Sequence, residues 1–497
     1  MARTRARAVR AGGAGAGAGA GAAAAGAGAA GAGPAGAGAA GAGPAGAGPV
    51  AASAGAAERL RPASAAEAAA LLRDAGPVRI RGGGTKPAWG RPVAAARELS
   101  TERMAALVAH HAGDLTAVVQ AGLPLADAQA AFAAAGQMLA LDPPDGGATI
   151  GGTVATGDSG PLRHRYGAPR DLVLGVQVAL PDGTVARAGS QVIKNVAGYD
   201  LAKLMSGACG TLGVICELTV RLHPRPAAGW CTAIGRGDDP HALARAAAAL
   251  CHLPLEADAI DLRWEGAAAA GSARAFAAGS AGAAAAGSAR AAAGGGEPPG
   301  AVLARFSGPA AGEHAEAAVA VLREHGLACA TAADDEPLWA AQRDGQRGPV
   351  VLRVSGTQRR LGAIVAAARD HGARLVARAA YGLAWMTLPG DPPPAPATGP
   401  AATSAPAPDS TAAPAAAESP GRAAGAASSA ALAAQVRELR ERLAPSACVL
   451  LSGPPALRAA VDPWGPVAPG RLELMRRVKE RFDPDGRCNP GLFVGGI

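Results

Sequence analysis

Three stretches of this chain hold almost no side chain large enough to build a core, and they decide how much of it can fold. Residues 12–52 are almost wholly Ala, Gly and Pro, residues 266–300 are mostly Ala, Gly and Ser, and residues 390–430 are rich in Ala, Pro, Ser and Thr. Ordering a backbone costs about 1–2 kcal/mol per residue, offset mainly by buried apolar surface. These stretches have little to bury. They are expected to form a disordered extension (residues 1–56), a disordered insertion (266–300) and a disordered linker (390–430). Of 497 residues, roughly 380 are left for packed structure, enough for two or three domains.

Composition excludes several classes. The net charge of +8 is carried mostly by arginine, the lysines being Lys86, Lys194, Lys203 and Lys479. The basic residues form no stripe and are not interleaved with aromatics, so a nucleic-acid surface is not expected. Seven cysteines without a CxxC pair argue against a disulfide framework and against iron–sulfur or zinc ligation; no metal is expected, and a cytoplasmic setting fits. No apolar run reaches the length of a membrane span. The basic start "MARTRARAVR" is similar to a transit peptide or a signal n-region. The Ala/Gly tract after it lacks a Leu/Val-rich core, so a plain extension is the expectation.

The foldable part opens near Ala57 with alternating helix and strand patterns, which point to an α/β unit. Ser64 followed by Glu67 predicts a capped helix over Ser64–Ala75, with Leu71 and Leu72 inward. "PVRIRGGGT" reads as a strand running into glycines. "LSTERMAALVAHH" reads as a helix, "TAVVQAG" as a strand, and "PLADAQAAFAAAGQML" as a helix ended by Gly136. "ATIGGTVATGDSG" reads as a short strand interrupted by glycines. "DLVLGVQVALPDGTVARAG" predicts a hairpin turning at Pro181-Asp182-Gly183-Thr184, and "VICELTVRLHPRP" a strand ended by prolines. A mixed α/β region reaches Pro389, and "AAQVRELRERLA" predicts a strong helix near the C-terminus.

Candidate chemistry gathers at three glycine clusters, each beside a strand. The first is Arg81-Gly82-Gly83-Gly84-Thr85-Lys86. The second is Thr149-Ile150-Gly151-Gly152, followed by Gly157, Gly160 and Gly167. The third is Gly207, Gly210 and Gly213. Consecutive glycines let amide N–H groups converge on an anion, and Lys86 and Arg81 lie close enough in sequence to help neutralise a pyrophosphate. Each cluster alone also reads as an ordinary tight turn. A literal GxGxxG occurs at Gly26–Gly31 with no strand before it, a product of the Ala/Gly tract, and no Walker A sequence is present.

The blocks "IRGGGTK", "GQMLALDPPDGGATIGGTVA", "KNVAGYDLAKLMSGACGTLGVICELTV" and "FDPDGRCNPG" together resemble the FAD-binding PCMH-type, vanillyl-alcohol-oxidase-like superfamily. Within it, the chain is similar to the GlcE family of FAD-binding subunits of glycolate oxidase complexes. The resemblance is clear over about Ala57–Pro226 and Gly470–Gly491. It implies an α+β fold: a two-subdomain FAD-binding domain over 57–226, then a smaller α/β cap domain over 227–389, completed by 431–497. It implies FAD wrapped at its pyrophosphate by Gly82, Gly83, Gly84 and Thr85. Pro143, Thr149, Ile150, Gly151, Gly152, Thr156 and Gly157 would line the flavin and ribityl chain, with Gly160, Tyr166 and Gly167 completing that loop. Gly213, Val214 and Ile215 would meet the adenine side through backbone groups. "RGGGTKPAWG" offers no His or Cys for a tether, so the FAD is expected to be non-covalent, and His110 and His111 are read as the solvent-facing end of a helix.

The resemblance further implies a complex that oxidises glycolate to glyoxylate, with a GlcD-like flavoprotein and a GlcF-like iron–sulfur subunit as partners. Catalytic relatives carry a His-rich motif in the C-terminal half; this chain has no histidine after His371, and His314, His325 and His371 are isolated. The catalytic residues stay open. Arg163, His164 and Arg170 are candidates for holding a carboxylate, with Arg170–Asp171 as a local ion pair in the competing reading. Two other functions stay open, an autonomous FAD oxidoreductase and a non-catalytic scaffold. Any membrane association is expected to be peripheral, through the partners.

Overall fold

The computed structural model describes residues 58–497 except 94, 145, 190–199, 228, 267–296, 334 and 390–419, with the backbone only of 420–427. The three biased stretches lie wholly or mostly outside the described residues, as does the "KNVAGY" start (residues 194–199) of the third resembling block.

Strands β1 (Glu58–Leu60), β2 (Val78–Arg81) and β3 (Arg97–Ser100) pair in parallel in the order β1-β3-β2. Helix α1 (Ala65–Asp74) runs between β1 and β2, as parallel pairing demands of a connection. Ser64 Oγ accepts the Glu67 amide at 3.1 Å while Glu67 Oε2 reaches back to the Ala63 amide at 2.8 Å, and Ala68, Ala69 and Leu72 face the core.

A second, antiparallel sheet has the order β4-β5-β9-β7-β8, built from β4 (Leu107–His111), β5 (Thr116–Gln120), β7 (Val173–Ala179), β8 (Val185–Gly189) and β9 (Val214–Arg221). The short strands β6 (Gln137–Met138) and β10 (His223–Pro224) pair separately. The β7–β8 hairpin turns where the sequence predicts, with Gly183 at φ +89 and Asp182 Oδ1 accepting the Thr184 amide at 2.8 Å. Helices α2 (Leu125–Ala133) and α3 (Ile150–Thr156) fill this sheet's core through Phe132, Ile150 and Val154.

The remaining strands form one antiparallel sheet of eight: β11 (Trp230–Gly237), β12 (Ala259–Trp264), β13 (Gly300–Ser307), β14 (Ala328–Ala332), β15 (Val350–Ser355), β16 (Arg374–Arg378), β17 (Leu383–Leu388) and β18 (Ala447–Ser452), ordered β14-β11-β13-β12-β16-β17-β15-β18. Helices at Pro240–Cys251, Ala311–Glu324, Leu361–Asp370 and Pro420–Leu443 cover one face and bury Leu352, Val354, Ile364 and Val436 with it. On the other face Val351, Val376, Trp385 and Val449 pack against Trp89 and Trp464, so this face meets the loop that follows β2.

Three sequence expectations are corrected. The stretch read as a helix over 99–111 is the end of β3, a turn, and β4. Ser100 Oγ bonds to Glu102 at 3.0 Å and the Met104 amide to Thr101 O at 2.9 Å, and pairing with β5 takes the rest. Helix propensity is a weak prior that such pairing overrides. His110 therefore sits in a strand, bonded to Gln137 at 2.9 Å with its ring edge on Phe132. The stretch read as a glycine-broken strand near 150 is helix α3. Thr149 caps it by accepting the Gly152 amide at 3.2 Å, and Gly157 ends it at φ +65. Its β-branched residues suggest a strand; its glycines instead let a helix press against a neighbour. Finally, the helix Pro420–Leu443 begins within the stretch read as linker.

Candidate functional site

A cavity of about 330 Å³ opens where β2 ends, α3 begins and the chain enters β9. The sequence-expected residues Arg81 to Lys86, Thr149, Gly151, Gly152, Thr156, Gly213, Val214 and Ile215 line it. The other expected residues do not. Ile150 points into the core and Gly157 caps α3. Pro143 is buried off the lining, and Gly160 is pressed against the Asp142 carbonyl. Tyr166 belongs to the short helix α4 (Arg163–Tyr166), which Gly167 ends at φ +87; its ring lies 4.6 Å from that of His223 and its hydroxyl 3.5 Å from Asp258.

The glycines of the first loop are explained by contact. A Cβ on Gly82 would stand 2.6 Å from Thr149 Oγ1, and one on Gly83 2.3 Å from the Gly147 carbonyl oxygen. Contacts that short do not occur, so the first loop can lie on the second only without side chains. Among the described residues, nothing in the protein accepts the amides of Gly82, Gly83 or Gly84. Bare amides at the wall of a cavity suit an anion. In α3, a Cβ on Gly151 would be 2.5 Å from Ala121 Cβ, which explains a glycine inside a helix. Strand β5 stops opposite Glu217, so the β9 edge at Val214 and Ile215 is left open to the cavity.

The two expected charges are already matched within the protein. Arg81 lies over Gly84 and pairs with Glu98 at 3.4 Å. Lys86 Nζ pairs with Asp158 Oδ2 at 3.2 Å, bonds Thr85 Oγ1 at 3.3 Å and stands 5.7 Å from the centroid of Trp89. The cations lining the cavity without a carboxylate partner among the described residues are Arg79 and Arg458. Arg458 bonds the Gly90 carbonyl, and burial, then Arg79, holds its pKa below the usual value.

Sequence reasoning assigned no role to Asn489, Arg458, Trp89 or Cys209, all of which line the cavity. Asn489 Oδ1 accepts the Ile80 amide at 2.7 Å, its Nδ2 donates to Cys209 O at 2.8 Å, and its own amide donates to Val78 O at 3.0 Å. The C-terminal tail thus ties the end of β2 to the loop before β9. The signal for it was the "FDPDGRCNPG" block itself.

No histidine, aspartate or glutamate lines the cavity among the described residues. Of the three carboxylate candidates, Arg170 is exposed, and Asp171 turns back to accept the Ala168 amide at 2.8 Å rather than pairing with it. His164 is largely buried, and burial lowers its pKa. Arg163 lies on the Tyr381 ring, 5.1 Å from its centroid.

Residues 56–189 match the family described as FAD binding domain. Over 117 residues the chain is 46% identical to glycolate oxidase subunit GlcE of Escherichia coli (strain K12), covering 23% of this chain and 33% of that protein. Over 123 residues it is 42% identical to the mitochondrial D-lactate dehydrogenase [cytochrome] of Arabidopsis thaliana, covering 25% of this chain and 22% of that protein. The matches thus span a third or less of these relatives. A crystal structure of p-cresol methylhydroxylase with substrate bound shares the fold, with a TM-score of 0.61 at 13% identity over 87% of this chain and 88% of that one.

Proposed function

We propose that this chain, whose residues 56–189 form an FAD binding domain and whose cofactor is FAD, is the FAD-binding subunit of a complex oxidising glycolate to glyoxylate. The observation that carries the reading is the 46% identity to GlcE over 117 residues. The bare amides of Gly82, Gly83 and Gly84 would take the pyrophosphate, and the open β9 edge at Val214 and Ile215 the adenine. Thr149, Gly151, Gly152 and Thr156 would border the ribityl chain and flavin, while Asn489 holds the walls together. Bound FAD supplies a hydride acceptor. Removing the hydroxyl proton needs a base, and the cavity lining holds no histidine, aspartate or glutamate among the described residues, which favours a subunit that works with a GlcD-like flavoprotein and a GlcF-like iron–sulfur protein. FAD is held without a covalent bond. No helix among the described residues is long and apolar enough to cross a membrane, and we place the complex in the cytoplasm with at most peripheral membrane contact.

The test is the visible spectrum of the chain purified alone and after assembly with both partners, before and after anaerobic glycolate. Flavin bands that bleach only in the assembly support the reading. Bleaching of the chain alone would make it an autonomous oxidoreductase, and a colourless chain a scaffold.

A further inference from the structure

Arg353 is a cation that no carboxylate contacts among the described residues. On β15 it alternates with Leu352 and Val354, which point into the helix-packed core, so its side chain leaves the sheet on the face turned to the β2 loop. Its cross-strand neighbours there are Trp385 and Val449, neither able to balance a charge. The Arg353 Nε is buried without a hydrogen-bond partner.

Arg163 is in the same condition. Its Nε is also buried and unpartnered, and its Nη1 reaches only Ser159 Oγ at 3.4 Å. Tyr381 fixes it in place: the ring lies under the guanidinium, and the hydroxyl donates to the carbonyls of Arg163 and His164 at 3.2 and 3.3 Å. The two guanidinium groups bear on each other. Burial lowers the Arg353 pKa, Cys209 and Asp158 oppose this, and Arg163 adds to it. The carboxylates whose charge reaches these cations, Asp158 for Arg353 and Asp171 for Arg163, make their close contacts elsewhere, Asp171 by accepting the Ala168 amide at 2.8 Å. Asp158 pairs with Lys86 at 3.2 Å, Asp261 with Arg378 at 2.5 Å, and Asp142 accepts the Leu162 amide at 3.2 Å. Trp89, which lines the FAD cavity, packs with Trp385 and Val449 on the face that carries Arg353, and Ser159, which Arg163 bonds, adjoins Asp158, the partner of cavity residue Lys86, so both arginines stand at its flank.

Charges withdrawn from water are costly unless an opposite charge meets them. Guanidinium groups meet a carboxylate with parallel N–H donors. We infer that Arg353 and Arg163 together hold a small carboxylate at the flank of the FAD cavity. The choice of a carboxylate over other anions rests on the proposed oxidation of glycolate; the site itself rests on two cations whose buried Nε atoms have no hydrogen-bond partner.

The experiment is calorimetric titration of the FAD-loaded chain with oxalate, and separately with inorganic phosphate, in low-chloride buffer. Wild type, Arg353→Met and Arg163→Met are compared, and each is melted with and without oxalate. Wild type is expected to bind oxalate more tightly than phosphate, and each variant at least tenfold more weakly than wild type. Oxalate should raise the melting temperature of wild type alone. Without oxalate, Arg353→Met should melt no lower than wild type, because it removes an unpaired charge and no contact. Failure of wild type to bind oxalate, equal affinity in the variants, or tighter binding of phosphate would overturn the inference. So would loss of FAD from Arg353→Met, which would assign the arginine to the cofactor's phosphates. Glycolate bleaching is a separate readout: its absence with oxalate binding intact removes the proposed function and leaves the site standing.

Discussion

Asn489 and Ile80 are 409 residues apart in sequence and joined at the cavity wall, where Asn489 Oδ1 accepts the Ile80 amide at 2.7 Å. The same side chain donates to Cys209 O at 2.8 Å. Asn489→Ala leaves a part-buried N–H and a part-buried C=O unpaired, at about 1–3 kcal/mol for each group. The expected result is a folded chain with a lower melting temperature and a reduced FAD-to-protein ratio. Asn489→Asp, which keeps the acceptor and loses the donor, should fall between. Full FAD content in the alanine variant would show that the tail is not needed at the cavity.

The first glycine loop is predicted to tolerate no side chain at Gly83. A Cβ there would stand 2.3 Å from the Gly147 carbonyl oxygen, a backbone atom that cannot swing aside. Gly83→Ala should purify folded and without flavin colour, its absorbance ratio at 450 and 280 nm near zero. Gly113→Ala, where nothing lies within 4 Å, is the matched control and should keep its flavin.

Lys86 and Asp158 form a pair withdrawn from solvent, with side chains 10% and 2% exposed. Removing one partner of such a pair typically costs about 3–5 kcal/mol. Lys86→Met should therefore destabilise strongly in chemical denaturation. Asp158→Asn added to it should restore much of the loss, because the orphaned charge goes with it. Equal midpoints for the single and double variants would show that Asp158 finds another partner.

Part of this site was legible because its cause is local. The glycine loops declare themselves by runs of residues without side chains, and the β7–β8 hairpin by Pro-Asp-Gly-Thr. What was illegible depends on distant contact. The segment of β4 reads as a helix because its alanines and leucine favour one, and only pairing with β5 makes it a strand. Helix α3 reads as a strand because Ile150, Thr153 and Val154 are β-branched, and only the press of Gly151 on Ala121 shows why glycines belong in a helix there. Arg81 and Lys86 look like free cations in sequence, since their partners, Glu98 and Asp158, lie 17 and 72 residues further along. Arg353 gives no sign at all, because what sets it apart is that no carboxylate among the described residues contacts it and its buried Nε has no hydrogen-bond partner.

Asp142 predicts a pH dependence of stability. Its carboxyl accepts the Leu162 amide beneath Gly160, and burial, partly offset by Arg378, pushes its pKa up to about 7. An acid with a raised folded-state pKa keeps its proton in the native state while the unfolded chain loses it. Stability contributed by Asp142 is therefore full below about pH 4 and is lost as pH rises toward 7. At about 1.4 kcal/mol per unit of pKa, the loss amounts to a few kcal/mol. Asp142→Asn keeps an acceptor for Leu162 and cannot ionise. Denaturation midpoints of wild type should fall relative to that variant between pH 4 and 7 and run parallel above it. Parallel curves throughout would show that Asp142 ionises normally.

The last prediction concerns how FAD is held. Among the seven cysteines, Cys209 is the one that lines the cavity, at φ +53 and bonded through its carbonyl to Asn489. Burial pushes its thiol pKa up to about 12, with Arg353 opposing. A flavin thioether requires a thiolate nucleophile, and at neutral pH almost none is present. The expected outcome is that acid precipitation sends all the flavin into the supernatant, from wild type and from Cys209→Ser alike. The variant should also keep its FAD, since serine preserves the backbone carbonyl that Asn489 holds. A protein band that fluoresces on a denaturing gel, and that Cys209→Ser abolishes, would show instead that Cys209 tethers the cofactor and that bound FAD or a neighbouring base lowers its pKa.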